Sequence, residues 1–295
     1  MEMQQLRYVV AVARAKNFSR AAEQCHVSQP SLSQQIQKLE EELGERLFDR
    51  LKREAKLTAA GEVFLRRAVR ILEEVDAAKR EAHDTGALLR GTLALGVLPT
   101  IAPYLLPDVI ARFNQRYPGV EVIIQEDTTA RLFKLALACD IDFAIASTPL
   151  HDARFEVREL FAEELLLAVP PGHPLATKRS VHAADLDTER LIVMKEGHCL
   201  GDQVLRFCER RAVNPSVSIR SAQMETIQSL VRAGVGLSLI PKMAVLNGRS
   251  DAPVYRSLSS PKPERSIVVT WPKQRPLSRA AGEFIKELST QKRER

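Results

Sequence analysis

Two cysteines nine positions apart, Cys199 and Cys208, are the residues of this chain best suited to chemistry. If the residues between them form a helix, Cys208 shares its apolar face with Leu200 and Val204, whereas Cys199 lies at the helix N-terminus, half a turn away. The positive end of the helix dipole and any charge on His198 would favour the Cys199 thiolate, the form that reacts with peroxide. The pattern predicts one buried thiol and one reactive thiol.

The separation of these cysteines distinguishes a switch from a structural crosslink. Nine residues of helix place the two Cα atoms ~13 Å apart, whereas a disulfide needs a Cα separation of about 4.4 to 6.8 Å. A bond between Cys199 and Cys208 therefore requires the helix to unwind. Such a rearrangement suits a reversible redox switch and not a static crosslink.

The cysteines also allow other interpretations. A buried cysteine such as Cys208, taken alone, is more often a packing residue than a reactive one. His198 and two cysteines offer too few ligands for a metal site, so neither a metal nor another cofactor is predicted. Cys25 and Cys139 are expected to pack as small apolar residues without a chemical role.

The elements that position the cysteine pair belong to an α/β half of the chain. After Gly91, strand-like and helical segments alternate, which is typical of a parallel sheet covered by helices. One set ends near residue 146 and a second near residue 240, and a strand at 267–271 is expected to return to the first set. We expect two α/β lobes with a ligand cleft between them, at the carboxyl ends of the strands.

Nearer the N-terminus, the sequence predicts two helices joined by a tight turn. The first spans residues 19–24, and the second is capped by Ser28, begins at Pro30 and ends at Gly44. The second helix has a polar face, as a recognition helix in the major groove of DNA requires, although an ordinary amphipathic helix pair is the alternative. Its opposite face is expected to be a buried apolar stripe formed by Leu32, Ile36, Leu39 and Leu43.

A basic hairpin is predicted immediately after the helix pair. Residues 48–58 carry four cations, and such a hairpin can grip the DNA backbone as a wing. Together with the helix pair, it predicts a winged helix-turn-helix domain. The residues expected to contact DNA are Arg20, Gln29, Pro30, Ser31, Ser33, Gln34, Lys38, Arg50 and Arg53.

Thr58 is expected to cap a long helix with the period of a coiled-coil seam. The stripe is narrow, which favours pairing with a second copy over a helix that lies on its own domain. Two copies would bind a roughly palindromic DNA site. The predicted dimerisation residues are Phe64, Ala68, Ile71, Val75, Ala78 and Ala82.

Length and composition agree with a protein of more than one domain. The chain has 295 residues, 45% of them hydrophobic and 27% charged, as in ordinary globular proteins. Its net charge of +6 suits an anionic partner such as DNA, although local placement carries that argument better than the total. No secretory signal or membrane span is recognisable, so we expect a cytoplasmic protein with no membrane partner and with reduced thiols.

The N-terminal motifs resemble the signature of LysR-type transcriptional regulators. The matching stretches are Phe-Ser-Arg-Ala-Ala at 18–22, Val-Ser-Gln-Pro-Ser-Leu-Ser at 27–33 and Leu-Thr-Ala-Ala-Gly at 57–61. The resemblance implies an all-α winged helix-turn-helix domain at 1–58, a linker and dimerisation helix at 59–91, and a regulatory domain at 92–295. That regulatory domain is expected to be a two-lobed α/β structure like periplasmic binding proteins.

The segment Gly-His-Cys-Leu-Gly-Asp-Gln at 197–203, followed by a second cysteine at 208, is similar to the OxyR branch of that family, which responds to hydrogen peroxide. The resemblance implies that Cys199 is the peroxidatic residue and Cys208 the resolving residue. It also implies a peroxide pocket formed by Thr100, Thr129, His198, Asp202 and Arg265.

The implied function is that of a transcriptional activator of antioxidant genes and not of an enzyme. Its expected partners are an operator in double-stranded DNA, further copies of itself as a dimer of dimers, RNA polymerase, and hydrogen peroxide as the signal. Two alternatives stay open. One is a LysR-type regulator gated by a small organic effector in the inter-lobe cleft, and the other is a thiol peroxidase fused to a DNA-binding domain.

Overall fold

The computed structural model describes residues 1–51, 54–83, 89–246 and 252–290. Side chains at 50, 51, 54, 73, 74 and 76–83 lie outside this description. The chain divides into two compact units, Met1–Leu88 and Leu89–Arg295. The predicted three-part division, with boundaries after residues 58 and 91, stays a prediction. No helix in the described ranges is long and apolar enough to cross a membrane.

The first unit begins with a helix that the sequence analysis missed, α1 (Met3–Ala15). It carries buried residues at the helical spacings of three and four, among them Leu6, Val9 and Val10. The predicted helix pair follows as α2 (Phe18–Gln24) and α3 (Gln29–Leu43). Ser28 caps α3 by accepting a hydrogen bond from the Ser31 amide, and Gly44 ends it at φ 71°.

The hairpin that the sequence predicted as a wing is present. Strands β1 (Phe48–Leu51) and β2 (Glu54–Leu57) pair antiparallel, with Phe48 opposite Leu57. The expectation of an all-α unit is therefore wrong, because the unit includes a β-hairpin. Thr58 then caps α4 (Ala59–His83), its hydroxyl accepting from the Gly61 amide and donating to the Arg46 carbonyl.

The apolar stripe predicted for α3 is correct for three of its four residues. Leu32, Ile36 and Leu39 are fully buried, but Leu43 is 39% exposed because it is the last residue of the helix. Its place is taken by Glu40, which is 9% exposed. A Glu40 Oε1 atom accepts hydrogen bonds from the amides of Leu47 and Phe48, at 2.8 and 3.1 Å. This carboxylate ties α3 to the start of the hairpin.

The second unit contains two lobes, as predicted. In the first lobe, β3 (Arg90–Val97) is parallel to both β4 (Gly119–Glu126) and β5 (Phe143–Ser147). Helices α5 (Ala102–Arg116), α6 (Thr129–Leu137) and α10 (Arg279–Thr290) contribute buried residues to its core. Strand β11 (Glu264–Pro272) pairs with β5, which confirms the predicted return of the chain to this lobe.

A long strand, β6 (Phe155–Val169), links the two lobes. Its first part pairs with β11, and its last residues pair with β9 (Ser238–Pro241) and β10 (Val254–Arg256). In the second lobe β7 (Arg190–Met194) is parallel to β8 (Ser216–Ser221). Helices α8 (Cys199–Arg210) and α9 (Met224–Arg232) pack on this sheet, and the short α7 (Pro174–Thr177) contacts β10. The resemblance to periplasmic binding proteins stays a prediction.

We predict that Glu40 stabilises the first unit more than its position on a helix surface suggests. Glu40→Ala would leave two buried backbone amides without their acceptor, at a cost of about 2 kcal/mol in the free energy of unfolding. Thermal unfolding followed by circular dichroism should show a melting temperature several degrees lower. Glu41→Ala, which removes an exposed carboxylate one residue away, is the matched control. Equal melting of the two variants would contradict the prediction.

Candidate functional site

The predicted switch helix is α8, which begins at Cys199 with His198 as its N-cap residue. Leu200, Val204 and Cys208 are buried in the core of the second lobe, at 1%, 3% and 2% exposure. Gly201 lies so close to β7 that a Cβ atom there would be 2.6 Å from the Met194 carbonyl oxygen. The predicted helix and its buried Cys208 are thus confirmed, and the helix is seated tightly on its sheet.

Cys199 points away from that core. It is half-buried and packs against the hydrophobic core of the first lobe, although its helix belongs to the second. All four cysteines are free thiols. The two cysteines of α8 therefore lie in different environments: Cys208 in one lobe, and Cys199 at the junction of both.

A buried arginine lies beneath Cys199. Arg265 on β11 is 2% exposed, and its guanidinium donates to the Thr100 hydroxyl at 3.0 Å and to the Thr100 carbonyl at 3.1 Å. Its Nε atom donates to Glu163 at 2.8 Å, and Glu163 also accepts from the Met243 amide. The sequence-predicted residues Thr100 and Arg265 are thus in direct contact. Glu163 was not predicted, and only its position opposite Arg265 in the β6–β11 register reveals it.

The pKa of the Cys199 thiol is raised above its ordinary value, mainly because burial disfavours the thiolate. Arg265 and the Thr129 hydroxyl lower this pKa, whereas Asp202 raises it. The sequence-based expectation of a favoured thiolate is therefore wrong in its net direction, because burial outweighs the cation. Burial also raises the pKa of Cys208, to about 11.

The other predicted pocket residues differ in exposure. The Thr129 hydroxyl is buried, and although it is close enough to act on Cys199, it makes no hydrogen bond of normal geometry within the described residues. Asp202, in the first turn of α8, is exposed. The pKa of His198 is lowered by burial and then by Lys195, while Asp127 acts in the opposite direction. The imidazole is thus neutral at pH 7, and it adds no positive charge beside Cys199.

His198 borders a large cleft between the lobes. The cavity measures about 900 Å³. It is lined by Thr100 and Asp127 from the first lobe and by Glu225 and Arg232 from the second. Such a volume lies within the range of small-molecule sites in proteins. The predicted inter-lobe cleft is therefore present beside the cysteine.

A further contact between the lobes runs through α8 itself. The side-chain amide of Gln203 donates to the Ser147 hydroxyl at 2.8 Å and to the Thr148 carbonyl at 2.6 Å, both at the end of β5. Gln203 is the last residue of the motif at 197–203, but its type and spacing predicted no role for it. One turn of α8 thus carries Cys199 and a hydrogen-bonded bridge to the first lobe.

Most of the residues predicted to contact DNA are exposed where they are described. Ser33 is half-buried on α3, and the side chain of Arg50 and the whole of Arg53 lie outside the described residues. The exposed members are Arg20, Gln29, Pro30, Ser31, Gln34 and Lys38.

The predicted seam of α4 is only partly free. Ala68 is fully buried against Leu6 and Val10 of α1, and Phe64 packs beside it, so these two residues contribute to the core of their own unit. Ile71 is 37% exposed and Val75 is half-buried. The side chains of Ala78 and Ala82 lie outside the described residues. The available part of the seam therefore begins after Ala68.

Two parts of the chain match models of the same protein family. Residues 3–62 match the model of the bacterial regulatory helix-turn-helix protein of the lysR family, and residues 86–293 match the LysR substrate binding domain. The chain is 37% identical over 278 residues to the DNA-binding transcriptional dual regulator OxyR of Escherichia coli K12, covering 94% of this chain and 91% of that protein.

Two solved structures are similar over almost the whole chain. One is a full-length OxyR from Pseudomonas aeruginosa carrying a cysteine-to-aspartate substitution, with a TM-score of 0.75, 32% identity and 98% of each chain covered. The other is a cysteine-to-serine mutant of Corynebacterium glutamicum OxyR with hydrogen peroxide bound. Its TM-score is 0.68 at 29% identity, with 99% of this chain and 94% of that chain covered.

Thr129 provides a test of the electrostatics at Cys199. Thr129→Val removes the hydroxyl while nearly preserving volume, so the pKa of Cys199 should rise and its thiolate fraction at pH 7 should fall. Alkylation of Cys199 by iodoacetamide, followed on its peptide by mass spectrometry, should slow about threefold at pH 7. The deficit should shrink as the pH rises, because both proteins become thiolates above the thiol pKa.

The matched control is Thr128→Val, which removes the neighbouring hydroxyl. It should react like the wild type at every pH. A deficit in Thr129→Val that persists unchanged above the pKa of Cys199 would show that the hydroxyl does not act through that pKa.

Proposed function

The chain belongs to the LysR family of DNA-binding bacterial regulators, and we propose that it senses hydrogen peroxide by forming a reversible disulfide between Cys199 and Cys208. The observation that carries this proposal is the position of Cys199 at the lobe junction, beside Arg265 and Thr129, on the same helix as Cys208. The similarity to OxyR proteins, one of them solved with hydrogen peroxide bound, supports it.

The proposed chemistry begins with deprotonation of the Cys199 thiol. The Cys199 thiolate attacks one peroxide oxygen and forms a sulfenic acid, while the O–O bond breaks and the leaving hydroxide takes up a proton to become water. Arg265 stabilises the thiolate and the departing negative charge, while Thr100, Thr129, His198 and Asp202 form the remainder of the proposed peroxide pocket. Of these residues only Asp202 is exposed.

The second step forms the disulfide. The Cys208 sulfur attacks the sulfur of the Cys199 sulfenic acid, an S–S bond forms, and water leaves. Overall two thiols and one peroxide give one disulfide and two waters. Because both residues lie within α8, the helix must unwind for the sulfurs to meet. This unwinding breaks the Gln203 contacts to Ser147 and Thr148 and thereby changes the coupling between the lobes.

We also propose how the protein assembles on DNA and transmits this change to transcription. Two copies pair through the exposed part of α4 around Ile71 and Val75, and two such dimers bind a palindromic operator. The oxidised form activates transcription through contact with RNA polymerase. One peroxide oxidises one Cys199–Cys208 pair, which must then be reduced before it can react again. The protein therefore acts as a sensor and not as a turnover peroxidase.

A second candidate function rests on the size of the inter-lobe cleft. A cavity of about 900 Å³ is far larger than hydrogen peroxide needs, and it would fit a small organic effector. In that case the cysteines are incidental. Peroxide-treated protein with all four thiols free, together with an organic ligand recovered from the cleft, would favour this function over the first.

The redox proposal makes a prediction for each cysteine. Cys199→Ser should abolish the peroxide response, because no sulfenic acid can form. Cys208→Ser should accumulate a Cys199 sulfenic acid that dimedone traps, because the resolving thiol is missing. Peptide mapping of the oxidised wild type should find Cys199 joined to Cys208, and no bond to Cys25 or Cys139. A different linkage, or no sulfenic acid in Cys208→Ser, would overturn the mechanism.

DNA recognition gives a separate prediction. Gln29→Ala should change which bases are preferred, since it removes an exposed side chain at the start of the recognition helix. Arg50→Ala should weaken binding to all sequences and reduce the salt dependence by about one unit of slope, since a wing cation contacts phosphate. Binding isotherms at several salt concentrations on matched and scrambled operators measure both effects. Altered base preference in Arg50→Ala would contradict the assignment of the wing.

A further inference from the structure

A second cavity lies beside α8 and away from the inter-lobe cleft. It measures about 360 Å³, within the range of small-molecule sites. One wall is α8, and the other is formed by residues 262–266, where the chain returns to the first lobe. Leu165, Phe207 and Pro263 add apolar surface to it. We call this cavity the α8 groove.

The α8 groove is strongly basic. Five cations line it, with Glu264 as its single carboxylate. Arg265 is neutralised by Glu163, and Lys262 pairs with Glu164 at 3.1 Å. The remaining three, Arg206, Arg210 and Arg211, are exposed and have no carboxylate partner within the described parts of the chain.

The structure of the helix does not account for this cluster. The negative end of the helix dipole stabilises cations in the last turn, which suits Arg210 and Arg211. Arg206 lies further from that end, and its spacing of four from Arg210 places two like charges on one face, which destabilises a helix. An anion bound between them would reverse that repulsion.

Gln203 adds a second, independent feature. Its amide nitrogen donates to the Thr148 carbonyl, which can only accept, so the orientation of the amide is fixed. The opposite atom, Gln203 Oε1, is buried and has no hydrogen-bond partner among the residues that the structure describes. A buried acceptor in the wall of a groove calls for a donor such as a ligand hydroxyl.

We propose that the α8 groove binds a small organic anion that carries at least two negative charges, as carboxylate or phosphate, and a hydroxyl group. The charged groups lie against Arg206, Arg210 and Arg211, and the hydroxyl donates to Gln203 Oε1. The guanidinium groups suit such oxyanions because they offer paired donors in one plane. The apolar surface of Leu165 and Phe207 contacts the carbon skeleton.

This site regulates the switch, a step that rests on the proposed disulfide between Cys199 and Cys208. Arg206, Arg210 and Gln203 lie within α8, and Arg211 is its C-cap residue, so these groups keep their arrangement only while α8 is helical. A ligand that binds the helical form and not the unwound form stabilises the reduced protein by mass action. The anion therefore slows disulfide formation. Its concentration sets how much peroxide is needed to form the disulfide.

The first arm of the test is binding to the full-length protein, kept reduced and metal-free, at constant ionic strength. Isothermal titration with citrate and with 3-phosphoglycerate should give saturable binding at one site per chain, and the tighter of the two identifies the preferred charged group. Arg206→Gln/Arg210→Gln should weaken binding about tenfold or more. Arg158→Gln/Arg179→Gln removes the same charge from exposed positions elsewhere and should bind like the wild type.

The second arm tests the hydroxyl. Tricarballylate has the three carboxylates of citrate without its hydroxyl, and it should bind about tenfold more weakly. Binding of neither citrate nor 3-phosphoglycerate, or equal binding by both double variants, would overturn the site. Equal affinity for citrate and tricarballylate would overturn the contact with Gln203.

The third arm separates this inference from the proposed function. At a ligand concentration ten times its dissociation constant, the Cys199–Cys208 disulfide should form about elevenfold more slowly in the wild type. The rate in Arg206→Gln/Arg210→Gln should change much less. Binding without any disulfide in peroxide-treated protein would refute the proposed redox function and leave the site intact. If the disulfide forms at the same rate with and without bound ligand, the regulatory step is refuted.

Discussion

The junction between the two lobes depends on the buried ion pair between Arg265 and Glu163. The two residues face each other across the β6–β11 register, where β6 passes from one lobe to the other. A buried guanidinium without its carboxylate would cost several kcal/mol, so each residue requires the other. Arg265 reaches Thr100 in the first lobe, and Glu163 reaches the Met243 amide in the second. One pair therefore fixes both sides of the junction on which Cys199 lies.

The same pair limits the charge available to Cys199. A free arginine beside a thiol would strongly favour the thiolate, but the charge of Arg265 is shared with Glu163, and burial acts in the opposite direction. The resulting thiol has a raised pKa, because its burial and Asp202 together outweigh Arg265 and the Thr129 hydroxyl, which favour the thiolate.

Local patterns predicted most of the secondary structure and the position of the cysteines. The caps at Ser28 and Thr58, the hairpin after Phe48 and the helix that begins at Cys199 follow from residues within one or two turns of each other. Helix α1 was missed despite the helical spacing of its buried residues, and the other failures concern long-range contacts. The partner of Ala68 is α1, and the pairing of Glu163 with Arg265 joins residues about one hundred positions apart. Neither contact has a periodic signal, since both depend on which elements meet in three dimensions.

The stability of α8 determines what a disulfide within it must overcome. Cys208 and Val204 are buried in the second lobe, Gly201 is pressed against Met194, and Gln203 is bound to the end of β5. Unwinding the helix exposes this apolar face, which costs roughly 2 kcal/mol for each large side chain brought into water. For the proposed Cys199–Cys208 disulfide to persist, the free energy of its formation would have to exceed that cost. For reduction to restore the helix it would have to exceed the cost only modestly, so under this proposal the packing of α8 contributes to the redox potential of the pair.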